Sequence, residues 1–476
     1  MYINGEWLDS EDGTTFETIN PANGEVITKI PNGNEKDAKK AIDAAVIAFE
    51  QWSKTTAYQK SDVLYRIYHA MCRNKEHLAR TMTEEQGKPL RAALNEVQYA
   101  ADFMLWYAEE VKRVYGRTIP APRSDQRFLL NYHPVGVVAA VTPWNYPISM
   151  ITRKVAPAIA AGCTIVVKPA EATPLCAIET FKVFEQADLP AGIVNLVTAA
   201  NPAPIGKLFV EDPRVRKLTF TGSTEVGKLL AQGAANQMKR TSFELGGHAP
   251  FIVCRDADPV VAAKGALLVK FLNTGQACIS PNRFFVHKTH INAFLEEFAG
   301  RVSKMKAGSG FDESVKIGPL VNEKAVEKVE RQVRDALQKG ARLVTGGQRL
   351  TENGLDKGSF FAPTVLANVT PDMLIYREET FGPVAPVIEY EDEDQLLEMA
   401  NDTVYGLAAY VYTQAYSTAM TLFEGLRFGI IGINDINPTA VAAPFGGMKE
   451  SGVGREGGPE GILEYLEVKV GGFSLR

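Results

Sequence analysis

The sequence predicts an α/β protein with a parallel sheet under covering helices, a second α/β domain, and a small third β element. Three observations predict it. From residue 135 onward, short β-branched runs alternate with helical stretches, the pattern of strand, helix, strand that writes a parallel sheet. The same style resumes after residue 250 with different content. Two β-like runs, residues 127–132 and 467–473, lie outside both alternations.

The elements follow in order. The segment to about Gly33 is rich in turn residues, and Asn34 is placed to cap a helix in which Ala38, Ala41, Ala45, Ala48 and Trp52 recur at helical spacing. Helical patterns continue over residues 64–82 and 92–114 and read as a covering layer without chemistry. Strands are expected at 135–141, 164–168, 193–197 and 215–220, with helices at 148–161, 175–187, 204–210 and 225–236. Open sheets of this kind bind ligands at the carboxyl ends of their strands. In the second half, 251–254, 283–287 and 384–390 read as strands, and 321–339 and 393–400 as helices. The outlying runs suggest a small element used in subunit contacts.

A chain of 476 residues, 45% hydrophobic, is too long for one ordinary core. The net charge of -5 comes without a basic block or long acidic run, so neither nucleic acid nor a membrane surface is indicated as a partner. No apolar run is long enough to span a bilayer, and MYINGEWLDSEDG does not read as a secretory signal. The five cysteines, Cys72, Cys163, Cys176, Cys254 and Cys278, are widely spaced and fit free thiols in a reducing cytoplasm. No CxxC, HExxH or HxE pattern occurs, so no metal site is expected.

One stretch, Gly452 to Gly457, matches GxGxxG literally. It lacks a strand before it and a βαβ unit after it, so it is read as a flexible C-terminal loop. The better phosphate candidate is FTGSTEVGK, where a β-like run ends at Phe220, Gly222 permits a tight turn, and Ser223 and Thr224 can cap the next helix.

Several residues stand in settings that chemistry uses. Cys278 sits in NTGQACISPNR, a polar, glycine-containing stretch, whereas Cys163 and Cys254 lie in or beside strands like ordinary buried thiols. Glu244 precedes two glycines in SFELGGHAP. Asn145 lies between two prolines in TPWNYP, which stiffen the backbone and could fix its amide as an oxyanion donor. Lys168, in VVKPAEATP, ends a β-like run, and Glu379 lies in EETFGPV.

PWNYP, KPAEATP, FTGST, FELGG, NTGQAC, EETFGPV and PFGGMKESG, in this order, resemble the aldehyde dehydrogenase superfamily, and the resemblance runs from INGEW to YLEVK. It implies a modified Rossmann domain binding NAD (residues 1–120 and 138–245), an α/β catalytic domain (246–440) and a small β oligomerisation flap (121–137 and 460–476) in a homodimer or homotetramer. It implies that Cys278 is the nucleophile, Asn145 the oxyanion donor and Glu244 the base that activates water. Lys154 and Glu456 match a proton-relay pair. For the cofactor, Lys168 and Glu171 match contacts to the adenosine ribose, and Trp144, Gly222 and Ser223 lie at the pyrophosphate. Glu379 and Phe381 match the nicotinamide end. Glu171 favours NAD, because its carboxylate would accept the ribose 2′-hydroxyl and repel a 2′-phosphate; NADP use is left open.

Within the superfamily, ITRKVAPA, ELGGHAP, GQACISPNRF and GREGGPEGILEYL look like the succinate-semialdehyde and 2-oxoglutarate-semialdehyde dehydrogenases. Such substrates carry a far carboxylate, for which Arg153 is the matching cation and Thr439 the matching hydroxyl. The second arginine that this branch often carries is replaced by Leu272, which leaves room for a longer, bulkier or less charged aldehyde. The alternatives are a dehydrogenase for another aldehyde, a CoA-acylating enzyme, and a non-enzymatic binding protein on the same fold. The presence of both Glu244 and Cys278 argues against the last two.

Overall fold

The computed structural model describes residues 1–475. The first of its two large sheets has eight strands. From edge to edge they are Gly452–Val453, Arg240–Glu244, Val215–Thr221, Val137–Val141, Thr164–Lys168, Val194–Leu196, Tyr2–Ile3 and Glu6–Trp7. The five strands from Arg240–Glu244 to Val194–Leu196 are parallel, and the pairs outside them are antiparallel.

The Val137–Val141 and Thr164–Lys168 strands are apolar almost throughout because helices cover both faces. Alternate residues divide between the two layers. Val138, Ala140, Ile165 and Val167 face Leu64, Val97, Ile151 and Phe181 of one layer. Val137, Ala139 and Val166 face Ala38, Ala41, Ile42 and Phe209 of the other. The helix Glu35–Trp52 begins at Asn34, whose side chain accepts from Lys36 N while Asp37 accepts from Asn34 N, a reciprocal capping box.

The helical pattern over 64–82 resolves into two helices, Ala57–Arg73 and Lys75–Gln86, with Asn74 between them at φ −98° and ψ 11°. The apolar period runs on across this corner because both helices bury the same face.

The second sheet has seven strands, against the three read from the sequence. Their order is Arg342–Thr345, Thr364–Ala367, Val384–Tyr390, Pro281–His287, Ala249–Val253, Ala408–Tyr412 and Ile430–Ile433. All pair in parallel except the Arg342–Thr345 edge. The overlooked strands are short, or, like AAYVY and IIGI, are broken by alanine and glycine and give little β signal.

The two outlying β-like runs pair with each other. Gln126–Pro134 and Leu466–Ser474 form an antiparallel ladder of 9 residues each, and Arg117–Ile119 adds a third strand. Among the described residues no helix is long and apolar enough to cross a membrane.

The GxGxxG stretch is not the flexible loop expected. Gly452 and Val453 pair with Glu244 and Phe243, and Glu456 exchanges both backbone hydrogen bonds with Phe445. Gly452 stands at φ +144°, and a Cβ there would lie 2.1 Å from the Phe243 carbonyl oxygen. Only glycine lets this segment close against the sheet edge.

Candidate active site

The register of the first sheet brings several motif residues to one end. Val141 pairs with Lys168 and Phe220, and Thr221 pairs with Glu244. These are the carboxyl ends of parallel strands, where the loops leave space for ligands.

Cys278 arrives from the second sheet's side. The helix Pro259–Lys270, capped by Asp258, ends at a loop in which Asn273, Thr274 and Gly275 have φ of +48°, +60° and +76°. A β-branched residue in this region is a strained exception, costing about 1–3 kcal/mol. The surroundings enforce it. The Thr274 hydroxyl donates to Gly318 O at 3.2 Å and accepts from Gly318 N at 3.0 Å. Gln276 Oε1 accepts from Val321 N at 2.9 Å. The second glycine of FELGG passes so close behind the nucleophile that a Cβ on Gly247 would lie 2.3 Å from Cys278 O.

Two cavities meet at Cys278. One, of about 490 Å³, is lined by Arg153, Leu272, Thr439, Tyr146 and Phe445 as well as the thiol. The other, of about 360 Å³, is lined by Trp144, Asn145, Gly222, Ser223, Glu379 and Phe381, again with Cys278. Burial pushes the thiol up to about 12; Arg153 opposes this, while Glu244 and Glu379 add to it. Cys278 therefore rests protonated.

Asn145 is buried on the second cavity's wall. Its side-chain nitrogen donates to Gln276 O at 3.1 Å, which ties it to the cysteine loop. Asn273 Nδ2 donates back to Asn145 O at 2.9 Å.

Glu244 is placed differently. It ends its strand at 2% exposure, lines neither cavity, and leaves Oε2 without a hydrogen-bond partner among the described residues. Burial and the neighbouring Glu456 push its carboxyl well above the usual range; Arg153, Lys154 and Arg455 pull it down. Gly446 packs against this carboxylate, and a Cβ there would stand 2.9 Å from Glu244 Oε1, so glycine is what leaves the side chain its room. Lys154, wholly buried, donates to Thr221 Oγ1 at 2.7 Å and forms an ion pair with Glu456. Glu244, Lys154 and Glu456 are thus one buried cluster behind the cysteine.

Arg153 lines the larger cavity at 3% exposure. Its guanidinium lies 4.4 Å from the Phe445 ring centroid and donates to Tyr99 OH at 3.1 Å. It also stands 3.8 Å from Glu456 Oε2. Thr439 donates to Asn437 Oδ1 at 3.2 Å, and Leu272 presents its side chain at 41% exposure.

The smaller cavity carries groups suited to the pyrophosphate and nicotinamide end of a dinucleotide. Ser223 caps the helix Thr224–Ala235 by accepting from Val226 N at 3.4 Å, so a helix N-terminus faces the cleft after the Gly222 turn. Trp144 and Phe381 meet edge to face at 5.6 Å. Glu379 Oε1 accepts from Gly247 N at 2.7 Å, and a Cβ on Gly246 would intrude to 3.1 Å from Glu379 Oε2. Lys168 and Glu171, paired at 3.1 Å, stand outside this cavity, at the end of a central strand.

Sequence reasoning missed Lys88, Glu96 and Tyr99 on the larger cavity and Lys328 on the smaller. The covering layer read as free of chemistry supplies the first three. EQGKP was the available signal, a lysine and proline just before a helix, and it is too common to single out.

A profile of the aldehyde dehydrogenase family matches residues 7–470. The chain belongs to the aldehyde dehydrogenase family. It is 47% identical to a succinate-semialdehyde dehydrogenase [NADP(+)] of Escherichia coli, over 98% of this chain and 96% of that one. It is 46% identical to a 3-sulfolactaldehyde dehydrogenase of Pseudomonas putida, over 98% and 95%. A crystal structure of a point mutant of betaine aldehyde dehydrogenase from Staphylococcus aureus in complex with NAD+ superposes with a TM-score of 0.97 at 36% identity, covering 100% of this chain and 96% of that one. The fold of this aldehyde dehydrogenase is thus shared with relatives named for differently charged aldehydes.

Proposed function

We propose that this aldehyde dehydrogenase oxidises a semialdehyde with a far carboxylate, such as succinate semialdehyde, to the acid through a thioester on Cys278. The observation that carries the reading is the place of Cys278 in the wall common to both cavities. Met150 and Cys278 are on both walls, and of the two only the Cys278 sulfur is a nucleophile able to join an aldehyde in one cavity while facing a dinucleotide in the other.

The chemistry follows from the residues around it. The Cys278 thiol gives up its proton to water in the cavity and its sulfur bonds to the aldehyde carbon, the C=O electron pair moving to the oxygen. The Asn145 amide stabilises the resulting oxyanion, an effect worth about 3–4 kcal/mol for one such donor. A nicotinamide cofactor, when bound, accepts the hydride that converts the adduct to a thioester. Glu244 turns from its buried position to take a proton from water, which attacks the thioester and releases acid and thiol. Lys154 and Glu456 hold and pass on the proton.

The substrate class rests on Arg153 and Thr439, which line the same cavity as the thiol, and on the relatives named for succinate semialdehyde and sulfolactaldehyde. Both aldehydes carry an anionic group. Leu272 in place of a second cation, in a cavity of about 490 Å³, favours a second reading in which the chain between aldehyde and carboxylate is longer than in succinate semialdehyde. NAD is favoured over NADP by Glu171, although the Escherichia coli relative is named for NADP(+). Exposed Leu129, Val468, Val470 and Phe473 on the three-stranded sheet support its use as the subunit contact.

A kinetic panel tests this. Formation of reduced nicotinamide should give the highest kcat/KM with a semialdehyde of four to six carbons, and higher with NAD than with NADP. Equal values for butanal and succinate semialdehyde would remove the carboxylate assignment, and acyl-CoA formation on adding CoA would replace hydrolysis by acyl transfer.

A further inference from the structure

The turn that carries Asn145 has little means of holding itself. Pro143 and Pro147 supply no N–H, so the turn is short of one backbone donor at each end. Its position is fixed from the covering layer by Lys88 and Glu96, an ion pair with both side chains about 1% exposed. Lys88 Nζ donates to Asn145 O at 2.9 Å and stands 3.9 Å from the centroid of the Tyr146 ring. Glu96 Oε1 accepts from Ile148 N and Ser149 N, each at 3.2 Å, and from Ser149 Oγ at 3.4 Å. The pair therefore grips both ends of the turn: the cation takes the carbonyl and ring at 145–146, and the anion takes the amides that open the helix Ser149–Ala161.

We propose that Lys88 and Glu96 are positioning residues that set the angle of the Asn145 amide for the oxyanion. The inference rests on the reading of Asn145 as the oxyanion donor. A buried ion pair is a poor way to gain stability, since apolar side chains of equal volume commonly serve as well. It does impose direction, because each charge accepts only a narrow set of partner geometries. Asn145 O receives a second donor, Asn273 Nδ2 at 2.9 Å, from the cysteine loop. Lys88 and the cysteine loop thus both donate to one carbonyl oxygen, that of Asn145. This fixes the distance between the amide of Asn145 and the sulfur of Cys278. A displacement of about 1 Å in such a group costs on the order of a hundredfold in rate.

The test is a double-mutant cycle on kcat with butanal and NAD, which leaves carboxylate recognition out of the measurement. Its arms are Asn145→Ala, the charge-neutral pair Lys88→Met/Glu96→Gln, and all three changes together. The neutral pair keeps an acceptor for Ile148 and Ser149 and strands no buried charge, and retained NAD binding shows that it folds. Asn145→Ala and the neutral pair should each lower kcat by ~100-fold with KM moving less than ~3-fold, and the triple variant should be no slower than Asn145→Ala alone. Losses that multiply to ~10,000-fold would show that the pair acts elsewhere and overturn the inference while leaving Asn145 in its role. A neutral pair with normal kcat would also overturn it. A harmless Asn145→Ala would instead remove the oxyanion reading, and the positioning role with it.

Discussion

The two cavities on either side of Cys278 are built by different rules. The cleft assigned to the dinucleotide gathers residues from loops next to strand ends: Trp144, Gly222, Ser223, Glu379 and Phe381. Its place follows from sheet topology, and its floor is backbone that glycines keep bare. The larger cavity is a gap between two covering helices, Leu90–Glu110 and Ser149–Ala161, and two loops around 272–279 and 437–445. No topological rule locates it, and the side chains on it decide what it takes. A cofactor that many relatives share can be held by the fold, whereas an aldehyde that differs among relatives is selected where the fold leaves side chains free to vary.

Changing the nucleophile on the wall that both cavities share should have the largest effect. Cys278→Ala should lower turnover by on the order of a thousandfold or more while leaving cofactor binding intact. A variant that keeps a tenth of normal turnover would mean that the shared wall is not the reaction centre.

Glu244 belongs to neither cavity, so its substitution asks which side it serves. Glu244→Gln should slow the steady state by ~100-fold, with a rapid burst of reduced nicotinamide equal to the enzyme concentration. Loss of the burst would place Glu244 at thiol activation. The pH profile carries the sign: burial and Glu456 raise the carboxyl, so the ionised base accumulates only as pH rises through that raised value. The hydrolysis rate should climb there in the native enzyme and be flat in the glutamine variant.

The smallest of these effects is confined to the larger cavity. Arg153→Leu should raise KM for succinate semialdehyde by ~10–100-fold, the equivalent of about 1.5–3 kcal/mol for a shielded ion pair, and that for butanal by less than ~3-fold. If both rise alike, Arg153 matters through its approach to Glu456, 3.8 Å away, and not through substrate.

What could be read in the sequence divides along the same line. The strands Thr164–Lys168 and Val384–Tyr390 have the limits expected, because β-branched runs flanked by turn residues mark buried parallel strands. Cys278, Asn145, Ser223 and Glu379 were legible as candidates through motifs that resemble the aldehyde dehydrogenase superfamily, and all four line one cavity. Lys88 and Glu96 were not, because neither a loop lysine before a helix nor a glutamate within one shows whether its charge turns inward or to solvent until the partner layer is known. The orientation of Glu244 was equally out of reach, since it depends on Gly446, two hundred residues further along the chain. Thr274 looked unremarkable in sequence; its left-handed backbone is imposed by Gly318 from outside the loop.

The pairing of Gly452–Val453 with Arg240–Glu244, and of Leu466–Ser474 with Gln126–Pro134, bears on how the molecule is made. Residues 249–433, which hold the whole second sheet, are synthesised after Glu244 and before either partner segment. Until those segments emerge, the first sheet carries an unpaired edge at its Arg240–Glu244 strand, and Glu456 has not reached Lys154. Closing loops of this length is slow compared with forming local helices. The nascent chain thus holds a first sheet with an open strand and an incomplete Glu244–Lys154 cluster, a stage at which chaperone binding and edge-to-edge aggregation compete. Completion of the edge and completion of the site are a single late event in folding.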